Sequence, residues 1–286
     1  MGTEINTVQN KLTIYKERLA ERKTDFIAML PKDIDFEAFK HILITVAIKN
    51  PALLNADQES LFTSIRQCAQ DGLLPDGRES ALVIFKTKKD NQYVDAVSYM
   101  PMIAGIYKKL RNSGKILSIV ARVIHKNDAF DYELGDNEFI YHKPAFDNRG
   151  EAIGVYGIIK TTDGATHREV MNKQEVEYIR QFSKSEQNKK KYPTSVTIWD
   201  SHWGEMAKKT VIRRLVKPLP MTKELTDFFN RDNENYIDIK EGVDILPATK
   251  PSTMELLDKQ LLQQNADFVD ITDAVIEPEI IQNEIN

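Results

Sequence analysis

The 286-residue chain has a single cysteine, Cys68, so it cannot close an internal disulfide. Cys68 lies in a helical apolar pattern and reads as a buried structural thiol. No run of roughly 18 apolar residues occurs, and no basic–apolar–small leader opens the chain, so neither a membrane span nor a secretion signal is expected and a cytoplasmic address follows. A phosphate-binding loop is also missing. The near miss Ser113-Gly114-Lys115 has Lys109 where the first glycine belongs and Ile116 where the hydroxyl belongs, which argues against ATP hydrolysis. The five histidines (His41, His125, His142, His167 and His202) show no H-x-x-x-H spacing and no cysteine partner, so no transition-metal site is expected. Asp76 and Glu79 are carboxylates of the type a Mg²⁺ nuclease needs, but no Asp/Glu-x-Lys follows on the next strands, and turn roles suit them better. No internal repeat is visible.

What the chain does have is an uneven distribution of charge. Its net charge is −4, yet residues 1–221 hold 34 Lys/Arg against 28 Asp/Glu, and residues 222–286 hold 5 against 15. A body of +6 therefore precedes an acidic segment of −10, the asymmetry of a nucleic-acid-binding core with an appendage. From Pro101 to Lys126 there are six Lys/Arg and no Asp or Glu.

The elements follow from periodicity and punctuation. Val8–Leu30 has apolar Leu12, Tyr15, Leu19, Phe26 and Leu30 at roughly helical spacing; Pro31 separates it from the rest, and it reads as an arm that packs on a neighbouring subunit. Asp35–Asn50 is a helix stopped by Pro51. Asn55 is the expected cap of the next helix, with Gln58 in capping-box position and Gly72 at its end. Asp71-Gly72 and Pro75-Asp76-Gly77 are turns. Ala81–Phe85 and Tyr93–Ser98 form a hairpin, and Pro101 opens a helix to about Arg111. Strand-like runs follow at 116–124, 130–134, 139–142, 152–161 and 166–171. Helices are expected over Lys173–Phe182 and Ser201–Lys217, and the lysine-bearing stretch Gln181–Pro193 reads as a mobile loop. After Met221 one helix is expected, at Ser252–Gln264. The fold class is α+β, a small mainly antiparallel sheet flanked by helices. Its three parts are a helical arm (1–31), a core (32–221) and an acidic tail (222–286).

On a helical wheel Trp203, Met206, Thr210, Arg213 and Lys217 share a stripe with Arg214 beside it, opposite Val211, Ile212 and Leu215. That predicts an exposed basic stripe with an aromatic at one end. With the Lys108-Lys109-Arg111 cluster it offers a phosphate track and a stacking surface, while the stripe alone also reads as a solvated basic face near a helix C-terminus. The expected phosphate contacts are Lys108, Lys109, Arg111, Arg122, Lys208, Lys209, Arg213 and Arg214. Tyr99, Tyr107, Trp199 and Trp203 are the candidates for base contact, and Arg78 either reaches DNA or bridges Asp76 or Glu79.

Four blocks carry a family resemblance: Gly72-Leu73-Leu74-Pro75-Asp76-Gly77-Arg78-Glu79; Tyr99-Met100-Pro101-Met102-Ile103-Ala104-Gly105; Gly154-Val155-Tyr156-Gly157 with Asp163-Gly164; and Trp199 through Met206-Ala207-Lys208-Lys209-Thr210-Val211-Ile212-Arg213-Arg214. In this order they resemble the RecT branch of the RecT/Redβ family of phage single-strand annealing proteins, over roughly Phe39 to Pro220. The resemblance implies an ATP-independent, non-enzymatic protein of a phage or prophage recombination system in the cytoplasm of a bacterial host. It would bind single-stranded DNA and the annealed duplex as a homo-oligomeric ring or filament, beside a 5′→3′ exonuclease and the host single-strand-binding protein. No cofactor is implied, with Mg²⁺ at most an aid to DNA binding. A metal-dependent DNA-processing enzyme and a structural phage oligomer stay open as alternatives.

Overall fold

A computed structural model describes residues 2–89, 92–194 and 196–233. The chain is α+β, with ten helices and seven strands among the described residues. The first helical stretch breaks at Arg22 into α1 (Gly2–Glu21) and α2 (Lys23–Met29). Its apolar stripe does not wait for another subunit. Tyr15, Leu19, Phe26 and Leu30 are buried within the chain itself. The Phe26 ring sits 6.2 Å from both Phe36 and Phe39 of α3 (Phe36–Lys49), and Tyr15 sits 6.1 Å from Phe62 of α4 (Gln58–Asp71). This apolar stripe is covered by the chain's own α3 and α4, so a subunit contact by the arm would have to use its other faces.

α3 starts at Asp35, whose carboxylate accepts the Ala38 N–H at 3.0 Å. α4 is capped by Asp57, accepting the Ser60 N–H at 2.8 Å, and not by Asn55. Pro51 explains the shift, because it opens a 3₁₀ turn (Pro51–Leu54) that Asn55 closes. Gly72 ends α4 in the left-handed region (φ +64°), and a Cβ there would come within 2.5 Å of the Pro31 ring. Burial raises the pKa of the Cys68 thiol, which donates to the Leu73 carbonyl at 2.8 Å.

β1 (Ser80–Lys89) and β2 (Gln92–Pro101) form the expected hairpin in continuous antiparallel register. Pro101 closes β2, and α5 (Ile103–Asn112) begins two residues later. A second sheet is ordered β3 (Ile116–His125), β6 (Ala152–Thr161), β7 (Thr166–Asn172), all antiparallel. β4 (Ala129–Glu133) and β5 (Phe139–Lys143) form a third, two-stranded ladder. α6 (Lys173–Arg180) follows with an Asn172–Glu175 capping box. The stretch expected as a loop is helix α7 (Lys184–Lys191), capped by Ser183, its last-turn lysines complementing the helix dipole.

After the short α8 (Ile198–Ser201), α9 (Trp203–Val216) lies across the β3–β6–β7 sheet. Val211, Ile212 and Leu215 enter the core as expected, and Gly157 of β6 leaves room for them, since a Cβ there would stand 3.2 Å from Ile212 and Leu215. The other side of α9 is not exposed: Met206, Lys209 and Thr210 are buried too. The cover includes α10 (Lys223–Asn233), with Leu225, Phe228 and Phe229 buried. Each such side chain contributes roughly 1.5–3 kcal/mol. The packed body therefore runs past the expected boundary at 221, and the acidic segment begins as a structural helix. The helix expected at Ser252–Gln264 lies outside the described residues.

One buried charge ties these elements together. The Lys209 ammonium is 1% exposed and contacts Asp232 Oδ1 at 2.6 Å and the Pro101 carbonyl at 2.7 Å. Arg213 Nε lies 3.4 Å from Asp232 Oδ2, and Arg231 pairs with buried Asp71. Replacing Asp232 by Ala strands the ammonium and is expected to cost about 3–5 kcal/mol, whereas Lys209→Met leaves Asp232 with Arg213 as its partner and should cost less. Chemical denaturation of the two variants checks this order.

A second buried carboxylate fixes the base of the β4–β5 hairpin. Asp128 accepts from Arg149 Nε at 2.9 Å and from the Ala145 and His125 N–H groups, each at 2.9 Å, and lies 3.0 Å from His142 Nε2. The Arg149 guanidinium holds its carboxyl well below the usual carboxylate range. A depressed carboxyl pKa adds stability at pH above the unfolded-state value of about 4, and that stability is lost as pH falls through the folded value. Asp128→Asn should therefore be less stable than the parent at pH 7, and the two should converge in urea melts as the pH drops below about 4.

Candidate nucleic-acid interface

The cations expected to touch phosphate divide into two groups. Lys209 is sealed inside. Lys109 is buried beside Glu224 of α10 at 2.5 Å. Lys108 reaches back to the Gly72 carbonyl and Glu79, each at 3.0 Å, clasping the loop before β1. Arg213 is engaged with Asp232 and Asn233, and Arg214 with Glu169 (3.2 Å) and Glu175 (2.9 Å). Lys208 pairs with Glu205 at 2.6 Å. The exposed stripe expected on α9 is thus an ion-paired seam, because α10, α6 and β7 supply carboxylates to it. Among the aromatics, Tyr99 and Trp199 are buried, with burial raising the Tyr99 phenol pKa. Trp203 donates its indole N–H to Glu177 at 2.7 Å.

Arg78, Arg111 and Arg122 remain in solvent. Arg78 makes no bridge to Asp76 or Glu79. Asp76 instead accepts the backbone N–H groups of Arg78 and Glu79, while the Glu79 carboxylate is taken by Lys108 and the Leu74 N–H. Arg111 lies 5.9 Å from the Tyr107 ring. Tyr107 hydrogen-bonds the Ala121 backbone beside Arg122, and burial raises its pKa.

Arg122 belongs to a surface that the sequence did not assemble. Side chains of directly paired residues share a face, so β3, β6 and β7 align two layers. The layer under α9 contains Ala121, Gly157 and Glu169. The opposite layer contains three rows: Ser118, Lys160 and Thr166; Val120, Ile158 and Arg168; Arg122, Tyr156 and Val170. Lys160 and Arg122 are exposed and Val120 is 38% exposed. This layer has three cations and no carboxylate of its own; Arg168 takes one from Glu138 at 3.3 Å. Exposed Lys115 lies beside this sheet, its carbonyl accepting the Thr162 N–H at 3.0 Å. Tyr156 is roofed by the β4–β5 hairpin, with Phe130 5.8 Å away and stacked. The result is an open sheet face of fixed cations among aliphatic and aromatic surface. Such a face can meet a phosphate chain and bases without selecting sequence.

The comparisons with known proteins agree with the motif blocks. The RecT family profile matches residues 37–244. Over 219 residues the chain is 33% identical to Protein RecT of Escherichia coli (strain K12), covering 76% of this chain and 78% of that protein. The chain belongs to the RecT family. That places it among phage-type recombination and single-strand annealing proteins. The RecT match continues through α10, the helix that completes the packed body. Among the described residues no group of three or more His, Cys, Asp or Glu is placed to hold a metal ion, and no helix is long and apolar enough to cross a membrane.

Lys160, Arg168, Tyr156, Val120 and Ile158 escaped the sequence reading, although period-two alternation over Ser118-Val120-Arg122 and Tyr156-Ile158-Lys160 carried the signal. Arg122→Glu combined with Lys160→Glu should weaken single-strand binding and lower the log–log salt slope by about 1.4, or 0.7 for each lost phosphate contact. Circular dichroism should not change, because both side chains are solvated. Fluorescence anisotropy across a salt series measures both quantities.

Proposed function

We propose that this RecT-family protein binds single-stranded DNA on the outer face of the β3–β6–β7 sheet and anneals complementary strands without ATP or a resident cofactor. The observation that carries the reading is the row arrangement of Lys160, Arg168 and Arg122 on the sheet face opposite α9, open beyond the β4–β5 hairpin, in a chain of this family. Two strands repel through their phosphates, so fixed cations lower the barrier to their approach. Val120 and Ile158 give bases apolar surface that is indifferent to sequence. The protein adds no bond-making step, which is why positioning suffices.

Register over many bases needs several such faces in a row, so the working form is a homo-oligomer, a ring or a filament. The annealed duplex is its product complex. Resemblance to the family supplies the remaining partners: a 5′→3′ exonuclease that exposes 3′ strands, and the host single-strand-binding protein. Residues beyond the packed body, with their acidic excess, are the segment through which protein partners would engage, since like charge opposes DNA contact there.

Two complementary oligonucleotides mixed with the protein, in buffer with neither nucleotide nor divalent cation, should anneal well above the protein-free rate. Affinity for one strand should fall linearly on log–log axes as salt rises, with a slope of at least about −2. A requirement for ATP, or an affinity insensitive to salt, overturns the reading.

A further inference from the structure

The β4–β5 hairpin has one face turned to β6, through Phe130 and His142, the latter 5.4 Å from Tyr156. Its other face is open and chemically unusual. Across the ladder Asp131 stands opposite Tyr141, and Glu133 opposite Phe139. Tyr141 is 54% and Phe139 41% exposed, Leu134 is exposed where β4 ends, and Phe146 is fully exposed just beyond β5. Apolar surface gathered on one rigid protrusion marks a docking surface. Asp131, Glu133 and Asp136 are all exposed around it, with Lys143 the single cation of the ladder's open face. Negative charge turns this surface away from DNA.

The same chain carries its complement elsewhere. The β1–β2 hairpin and α7 lie side by side, Lys86 Nζ standing 5.5 Å from the Tyr192 ring. Together they bear Lys86, Lys88 and Lys89 on one element and Lys184, Lys189, Lys190 and Lys191 on the other. Among the described residues Lys88, Lys184, Lys190 and Lys191 have no carboxylate partner, unlike Lys86, Lys89 and Lys189, which pair with Asp95, Asp57 and Asp200. Apolar surface accompanies the charge, with Tyr93 66% and Val196 80% exposed. Both surfaces are open in one chain, so neither covers the other.

We propose that the acidic, aromatic face of the β4–β5 hairpin of one protomer docks on the basic β1–β2/α7 surface of the next copy. This rests on the oligomeric reading above and names its contact. Because the two patches differ, the contact is head-to-tail, and repetition yields a ring if the rotation closes and a filament if it does not. The exposed aromatic rings would be covered by lysine stems and Tyr93, and the lysine heads would meet Asp131 and Glu133. Asp128 at its base and the Glu138–Arg168 bridge tie the hairpin to the rest of the chain.

Charge exchange tests it. Three proteins are compared by mass photometry without DNA at about 0.1 M salt: Asp131→Lys with Glu133→Lys, Lys190→Glu with Lys191→Glu, and all four together. Each pair alone should raise the concentration needed for assembly by at least about tenfold, because like charges then face each other. The four-fold variant should recover assembly, as should an equimolar mixture of the two pairs. Tyr141→Ser with Phe146→Ser, which leaves charge untouched, should also weaken assembly. Unaltered assembly in the single pairs overturns the proposal. So does an α7 pair that lowers single-strand affinity of the monomer while the hairpin pair assembles normally, since α7 then belongs to the DNA surface. Assembly that follows the expected pattern while no variant anneals DNA would leave this contact standing and remove the annealing reading instead.

Discussion

A lysine ammonium taken out of water must be met by an opposite charge and by hydrogen-bond acceptors, or the fold around it fails. Lys209 is that group here. Its contacts with Asp232 and the Pro101 carbonyl join α9, α10 and the end of β2 at one point. Around it Arg213 shares Asp232, Arg231 holds Asp71, and Lys109 meets Glu224. α10 is therefore both an apolar lid, through Leu225, Phe228 and Phe229, and the source of the carboxylates that make a cationic interior tolerable.

Cations neutralised inside the protein cannot neutralise phosphates, so the proposed interface uses those that the interior does not. With α9 occupying one face of the β3–β6–β7 sheet, the other face is left with Arg122, Lys160 and Arg168 among aliphatic and aromatic neighbours. The β4–β5 hairpin shields Tyr156 at one end of that face and projects its own acidic side outward. One sheet thus separates a surface suited to nucleic acid from a protrusion suited to a neighbouring copy.

Much of the fold was legible from residues. Runs rich in β-branched and aromatic residues located the seven strands of the described residues, and Asp35 and Gly72 marked helix ends as capping chemistry requires. The site was legible only in part, for a physical reason. Several residues that carry the family likeness are interior clasps: Glu79, held by Lys108, Gly105 with its Cα against the Glu79 carbonyl, Lys209 onto Pro101, and Gly157 under Ile212. Charge type reads as surface in a sequence, yet buried pairing reverses that reading whenever a carboxylate from a distant segment arrives. A helical wheel assigns one side of α9 to solvent but cannot tell that α10 covers it. The spacing of Leu225, Phe228 and Phe229 announced an amphipathic helix, which the acidic composition of the whole segment concealed.

The central claim is that interior and DNA-facing cations are different residues. Acetylation of lysines by a water-soluble ester, read by peptide mass spectrometry with and without single-stranded DNA, tests it most directly. Lys209 and Lys109 should resist modification in both conditions, while Lys115 and Lys160 should react in the free protein and become protected when DNA is added. Ready modification of Lys209 in the free protein, with protection by DNA, would contradict the account.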